Sequence, residues 1–152
     1  MKAYKFRLEP VLRVRRKHEE IAKQELAKAQ AILAEKKAIV NELGEIHSLT
    51  CQELKDAQDL GPGDEIDVMS VALYNRYITS LDVEMKAQKK ALDELAKQED
   101  KARQEAVEAR KKTRILERLK EKGRAMHLAE SVRLEQADLD EIGQSRFARQ
   151  HR

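Results

Sequence analysis

The sequence has no tryptophan, one cysteine, two prolines and five glycines in 152 residues, and aromatics make up only 3%. Each scarcity excludes something. Sandwiches, barrels and dinucleotide-binding folds need strands punctuated by turn residues every ~8–12 positions, and so few breakers cannot supply them. One cysteine, Cys51, cannot close an internal disulfide, which fits a reducing compartment. No apolar run approaches the ~20 residues of a membrane span. The first seven residues carry no apolar core of a secretory leader. There is no glycine-rich phosphate loop, cysteine pair, HExxH or nucleophile motif, so no catalytic, cofactor-binding or metal residues are expected. What is present is charge, 39% of residues, together with 41% apolar residues and a net charge of only +3. Abundant Ala, Glu, Lys, Leu and Arg without breakers is the composition of long helices and coiled coils.

The pattern has a seven-residue period. In the first third two rows recur: Leu8, Arg15, Ala22, Ala29, Lys36, Leu43, Thr50, Ala57 and Leu12, Glu19, Leu26, Leu33, Val40, His47, Leu54. A third row, with Ile32, Ile39 and Ile46, runs beside them. Past Gly61-Pro62-Gly63-Asp64 come Tyr74, Leu81, Gln88, Leu95, Ala102, Ala109, Leu116 and Ile78, Met85, Leu92, Glu99, Ala106, Thr113. Such spacing predicts an all-α fold, a long antiparallel two-helix coiled-coil hairpin with the second helix overhanging. The expectation is one domain over 1–152: helix 1 about 10–60, turn 61–64, helix 2 about 65–143 and a tail 144–152. Pro10 suits a first helical turn, Asp64 is the expected N-cap with Glu65 and Asp67 in the first turn, and Gly143 is the expected stop. The arms would be roughly 75 Å and 115–120 Å long. Residue i should face residue ~125 − i, leaving everything after Gly123 without a partner arm. Gly123 reads as a hinge or as ordinary tolerance with equal weight.

Charge is unevenly spread. Residues 1–17 and 101–124 each carry +6, 53–67 carry −5 and 128–141 carry −4. Arg13, Arg15, Arg16 and Lys17 crowd a helix N-terminus against its dipole, which suggests a partner. The patch lacks aromatic interleaving, so nucleic acid is not expected. His47 and Cys51, four apart, share a helix face; two ligands are too few for a closed zinc site, and a buried polar residue that sets register explains His47 better. Tyr4, Phe6 and Phe147 lie near the termini, and Tyr74 and Tyr77 beyond the turn. Tyr74 falls on a core row, where packing and binding explain it equally, whereas Tyr77 flanks it and suits a surface contact.

Three segments carry a family resemblance: Phe6-Arg7-Leu8-Glu9-Pro10-Val11-Leu12-Arg13-Val14-Arg15 with Glu19-Glu20 and Glu25-Leu26-Ala27, then Tyr74-Asn75-Arg76-Tyr77-Ile78-Thr79-Ser80-Leu81, and Leu139-Asp140-Glu141-Ile142 before Arg146. Together they resemble the FliJ family of flagellar type III export proteins, and the injectisome stalk proteins share that architecture. The resemblance implies a non-enzymatic, cytoplasmic stalk peripherally associated with the membrane-embedded export apparatus. It would link the hexameric export ATPase to the export-gate membrane protein and assist export chaperones, without inserting into the membrane. It further implies an ATPase-facing end at Phe6, Leu8, Val11, Leu12, Arg15, Arg16, Asp140, Glu141 and Arg146, and gate contact at Tyr74, Tyr77 and Leu81. The alternative is a chaperone-like scaffold binding amphipathic helices along the third row.

Overall fold

A computed structural model describes residues 4–59, 61 and 63–150, with side chains as far as Arg146. Lys2 of the basic run, Leu60 at the expected end of helix 1, Pro62 of the expected turn, the side chain of Phe147 and the final residues 151–152 lie outside the described residues. Two helices make up the fold: α1, Glu9–Gln58, and α2, Val68–Gln150, packed against each other with no strand among the described residues. The fold class is therefore the expected all-α helical hairpin.

The chain divides into two compact units, each pairing a stretch of α1 with an antiparallel stretch of α2. Unit 1 comprises Met1–Ile21 with Val107–Arg152, and unit 2 comprises Ala22–Ala106. In unit 1 the seam buries Leu12, Glu19 and Thr113, with Arg15, Ala109 and Leu116 half-buried. In unit 2 it buries Thr50, Leu81, Glu99 and Ala106, with Leu26, Leu33, Leu92 and Leu95 half-buried. These are the heptad positions of the sequence, so each helix turns its seven-residue rows inward. The third row is only partly outside: Ile32 is 51% and Ile39 38% exposed, whereas Ile46 is half-buried.

The seam is chemically mixed, yet its polar members are satisfied. Thr113 donates to the Ala109 carbonyl oxygen at 3.1 Å and Thr50 to that of Ile46 at 2.8 Å. Glu99 accepts from Arg103 at 2.8 Å and from Gln30 at 3.4 Å. Lys36 donates to Gln88 at 2.7 Å. A buried polar group that keeps its hydrogen bonds avoids most of the desolvation penalty and specifies register.

Several expected boundaries are corrected. The connector between the helices spans nine residues, 59–67, rather than the expected four at 61–64. Asp67, not Asp64, caps α2: its Oδ1 accepts the Met69 amide at 3.1 Å and its Oδ2 the Ser70 hydroxyl at 2.5 Å. Asp64 instead closes a turn, its amide donating to the Gly61 carbonyl at 3.2 Å. Gly63 takes φ 111°, which a side chain would resist. Gly143 does not end α2, which runs on to Gln150. A helical glycine costs about 1 kcal/mol relative to alanine, too little to stop a helix flanked by good formers.

Side-chain pairs across the seam lie on both sides of the expected 125. Glu9–Lys120 and Glu19–Arg110 in unit 1, and His47–Asp82 in unit 2, join residues whose numbers add to 129, Arg16–Glu117 to 133 and Lys36–Gln88 to 124. The helix ends Gln58 and Val68 add to 126. Side chains lean toward the N-terminus of their own helix, so antiparallel residues tend to meet one or two positions past the level of contact, and long side chains widen the spread.

Candidate functional site

Two surfaces, one in each unit, gather most but not all of the residues singled out in the sequence. In unit 1, α1 begins where the Glu9 amide donates to the Phe6 carbonyl at 3.2 Å and the Leu12 amide to that of Leu8 at 2.9 Å. Three ion pairs bind this first stretch to α2: Glu9–Lys120 and Glu19–Arg110, each at 2.8 Å, and Arg16–Glu117 at 2.9 Å. The hydrogen bond from Lys120 holds the Glu9 carboxyl below the usual carboxylate value, and the charges of Lys120, Arg13 and Arg16 reinforce it against desolvation. Glu19 accepts from Arg110 and strengthens the hold of that guanidinium on its proton.

The crowded cations of α1 thus divide. Arg16 is tied to Glu117 and Arg15 lies half in the seam, while Arg13 and Lys17 face outward. Leu12 is 0% exposed, so it supports the surface from beneath. Phe6 is half-buried; Leu8 is 38% and Val11 43% exposed. Val14 and Ile21 are exposed on the same side of α1 as Val11. Asp140, Glu141 and Arg146 are exposed on α2, but they do not join the α1 residues. Asp140 lies roughly 20 Å along the helix from His127.

The N-terminal segment reaches further than the register argument allowed. The Tyr4 ring sits against Gly123, where a Cβ would collide with its hydroxyl, and its centroid lies 5.7 Å from the His127 ring at 53°. Gly123 is therefore a seat for an aromatic within an unbroken helix, and the stretch just after it is not bare. The signal was a glycine seven residues after Leu116, on the seam row.

In unit 2, Leu81 is 6% exposed, Tyr74 half-buried and Tyr77 49% exposed. Tyr77 alone of the three presents much surface. It continues an apolar stripe of Ile66, Met69 and Leu73, exposed by 51%, 73% and 62%. This stripe was missed because its spacing of three and four residues runs off the heptad rows. On α1, the His47 Nε2 lies 3.0 Å from the Asp82 Oδ1, and the Cys51 sulfur 3.9 Å from the His47 Nδ1. His47 ties the helices together at a seam position. No cluster of three or more metal-ligating side chains occurs among the described residues.

A family model described as "Flagellar FliJ protein" matches residues 4–152. The chain belongs to the FliJ family. Membership makes it a flagellar export-related protein. The flagellar family, rather than the injectisome stalk proteins, is the one matched. No curated protein and no solved structure gives a significant match. Among the described residues of this FliJ-family chain no helix is long and apolar enough to cross a membrane.

Proposed function

We propose that the protein is a non-enzymatic stalk and coupling component of flagellar export. It binds the hexameric export ATPase through unit 1 and the cytoplasmic part of the export-gate membrane protein through unit 2. It works in the cytoplasm at the membrane-embedded apparatus and also handles export chaperones. One observation carries this reading: apolar side chains are exposed in two opposite electrostatic settings. In unit 1, Leu8, Val11 and Val14 lie among the cations of residues 1–17, net +6. In unit 2, Met69, Leu73 and Tyr77 adjoin residues 53–67, net −5. Opposite charge selects different partners through encounter rate and orientation.

On this reading Phe6, Leu8, Val11, Arg15 and Arg16 contact the ATPase over Leu12, joined further along α2 by Asp140, Glu141 and Arg146. Tyr77 leads the gate contact, backed by Tyr74 and Leu81. Pull-down with the ATPase and with the gate protein's cytoplasmic domain separates the two surfaces. Arg13→Glu/Lys17→Glu should weaken ATPase capture and spare the gate domain, without breaking the Arg16–Glu117 pair. Leu73→Ala/Tyr77→Ala should do the reverse. Loss of both partners from either variant, or of neither, defeats the assignment.

The exposed Ile32 and Ile39 favour a second reading, a scaffold that receives amphipathic helices along the third row. Ile32→Asp/Ile39→Asp should abolish chaperone binding in that case and leave ATPase capture intact.

A further inference from the structure

α2 carries a second face, away from the seam of unit 1. Lys112, Ile115, Leu119, Lys122 and Met126 recur along it at spacings of three and four residues. Ile115 is 66%, Leu119 46% and Met126 64% exposed, and both lysines are exposed. The same face continues through Glu130, Arg133, Ala137 and Asp140, all exposed. At about 100° per residue, these positions from Lys112 to Asp140 stay within an arc of about 80°.

The charge on this stretch reverses at His127. Residues 111–124 carry seven cations against Glu117 and Glu121, net +5, and residues 128–141 are net −4. One straight helix cannot bring these halves together. A second copy laid antiparallel can. With the two-fold axis at Met126, Lys112 stands opposite Asp140 and Lys122 opposite Glu130. Ile115 then meets Ala137, and Leu119 meets the aliphatic stem of Arg133. Symmetry repeats every pair, as an isologous interface requires. A parallel arrangement sets lysine on lysine and acid on acid.

We propose that two copies of this protein associate antiparallel through this face of α2, crossing at Met126. Charge fixes direction and register, and the exposed apolar residues supply the contact. The dimer does not depend on the export reading. Its interface is long, narrow and rich in exposed ion pairs, so it is weak and salt-sensitive.

Sedimentation equilibrium of the full chain from about 1 to 500 μM tests it. The dimer should be present at low salt, and its dissociation constant should rise about tenfold or more when salt is raised from roughly 50 to 500 mM. Lys112→Glu/Lys122→Glu should be monomeric, as should Glu130→Lys/Asp140→Lys, each with unchanged helical circular dichroism. Mixed in equal amounts, the two variants should form a heterodimer, because each half then meets its opposite. The milder Lys112→Gln/Lys122→Gln should weaken the dimer without repulsion. A monomer at every concentration in low salt overturns the proposal. So does a dimer that both reversals leave intact, or a mixture that does not pair.

Discussion

Gly123 and Tyr4 form a contact whose two sides have different energetic weight. Alanine at 123 adds helix propensity worth about 1 kcal/mol and pushes the tyrosine out of its seat. Gly123→Ala is therefore expected to leave the urea midpoint unchanged or slightly raised while speeding amide exchange near Tyr4 and moving the His127 ring resonances. A lowered midpoint together with unmoved His127 resonances would refute the seat. Among the carboxylates, Glu99 is held below its usual value first by Arg103, then by Gln30, and Glu9 by Lys120. A carboxyl with a lowered folded-state value stabilises the fold above its ordinary value of 4.5, and that contribution disappears as pH falls through the folded value. The contribution of these carboxylates should thus be full down to about pH 5 and decline below about 4. Glu99→Gln should flatten that decline in urea titrations at pH 7 and pH 3. Sequence alone placed Glu99 and Glu19 on seam rows, because the seven-residue period fixes direction. It could not identify their partners, since Arg103 and Arg110 lie off those rows and reach in on long side chains.

The start of α2 is a choice between two aspartates. Asp64 and Asp67 both precede helix-forming residues, and each has the short side chain a cap needs. The structure uses Asp67, and Asp64 shapes the turn around Gly63. Asp67→Ala should cost about 1 kcal/mol, and Asp64→Ala no more than about 0.5 kcal/mol, in equilibrium urea unfolding. Equal effects would mean that the cap is shared. Along α1, Leu12→Ala should cost about 2–5 kcal/mol and the exposed Val11→Ala far less, although the two are adjacent. Periodicity made that distinction legible, and the same periodicity hid the stripe of Met69, Leu73 and Tyr77. A surface used for a partner need not follow the rhythm of the internal seam. The end of α2 was misjudged at Gly143 for a simpler reason: glycine permits a stop without imposing one.

Across the molecule, the heptad rows made the helix pairing and its approximate register readable, while the individual pairs depended on the reach and lean of side chains. Unit 1 supports a test of its own. α2 has a seam partner in α1 as far as Lys120, then Tyr4 at Gly123 and His127, and 128–146 is almost wholly exposed. At concentrations low enough for a monomer, amides of 128–146 should exchange far faster than those of 107–123. Similar protection in both stretches would show that the extension is held by something other than the seam.

The make-up of the seam also bears on temperature. Among the described residues, the apolar side chains at or below 9% exposure are Leu12, Leu81 and Ala106, and the seam between them is shared with threonine, glutamate, lysine and glutamine. Unfolding therefore hydrates little oil-like surface and much polar surface, two changes that oppose one another in heat capacity. The increment per residue should fall below the ~12–15 cal/mol/K of globular domains, giving a shallow stability curve. In a calorimeter the protein should melt over a broad range, and its helices should change little in strength between a cold and a warm environment.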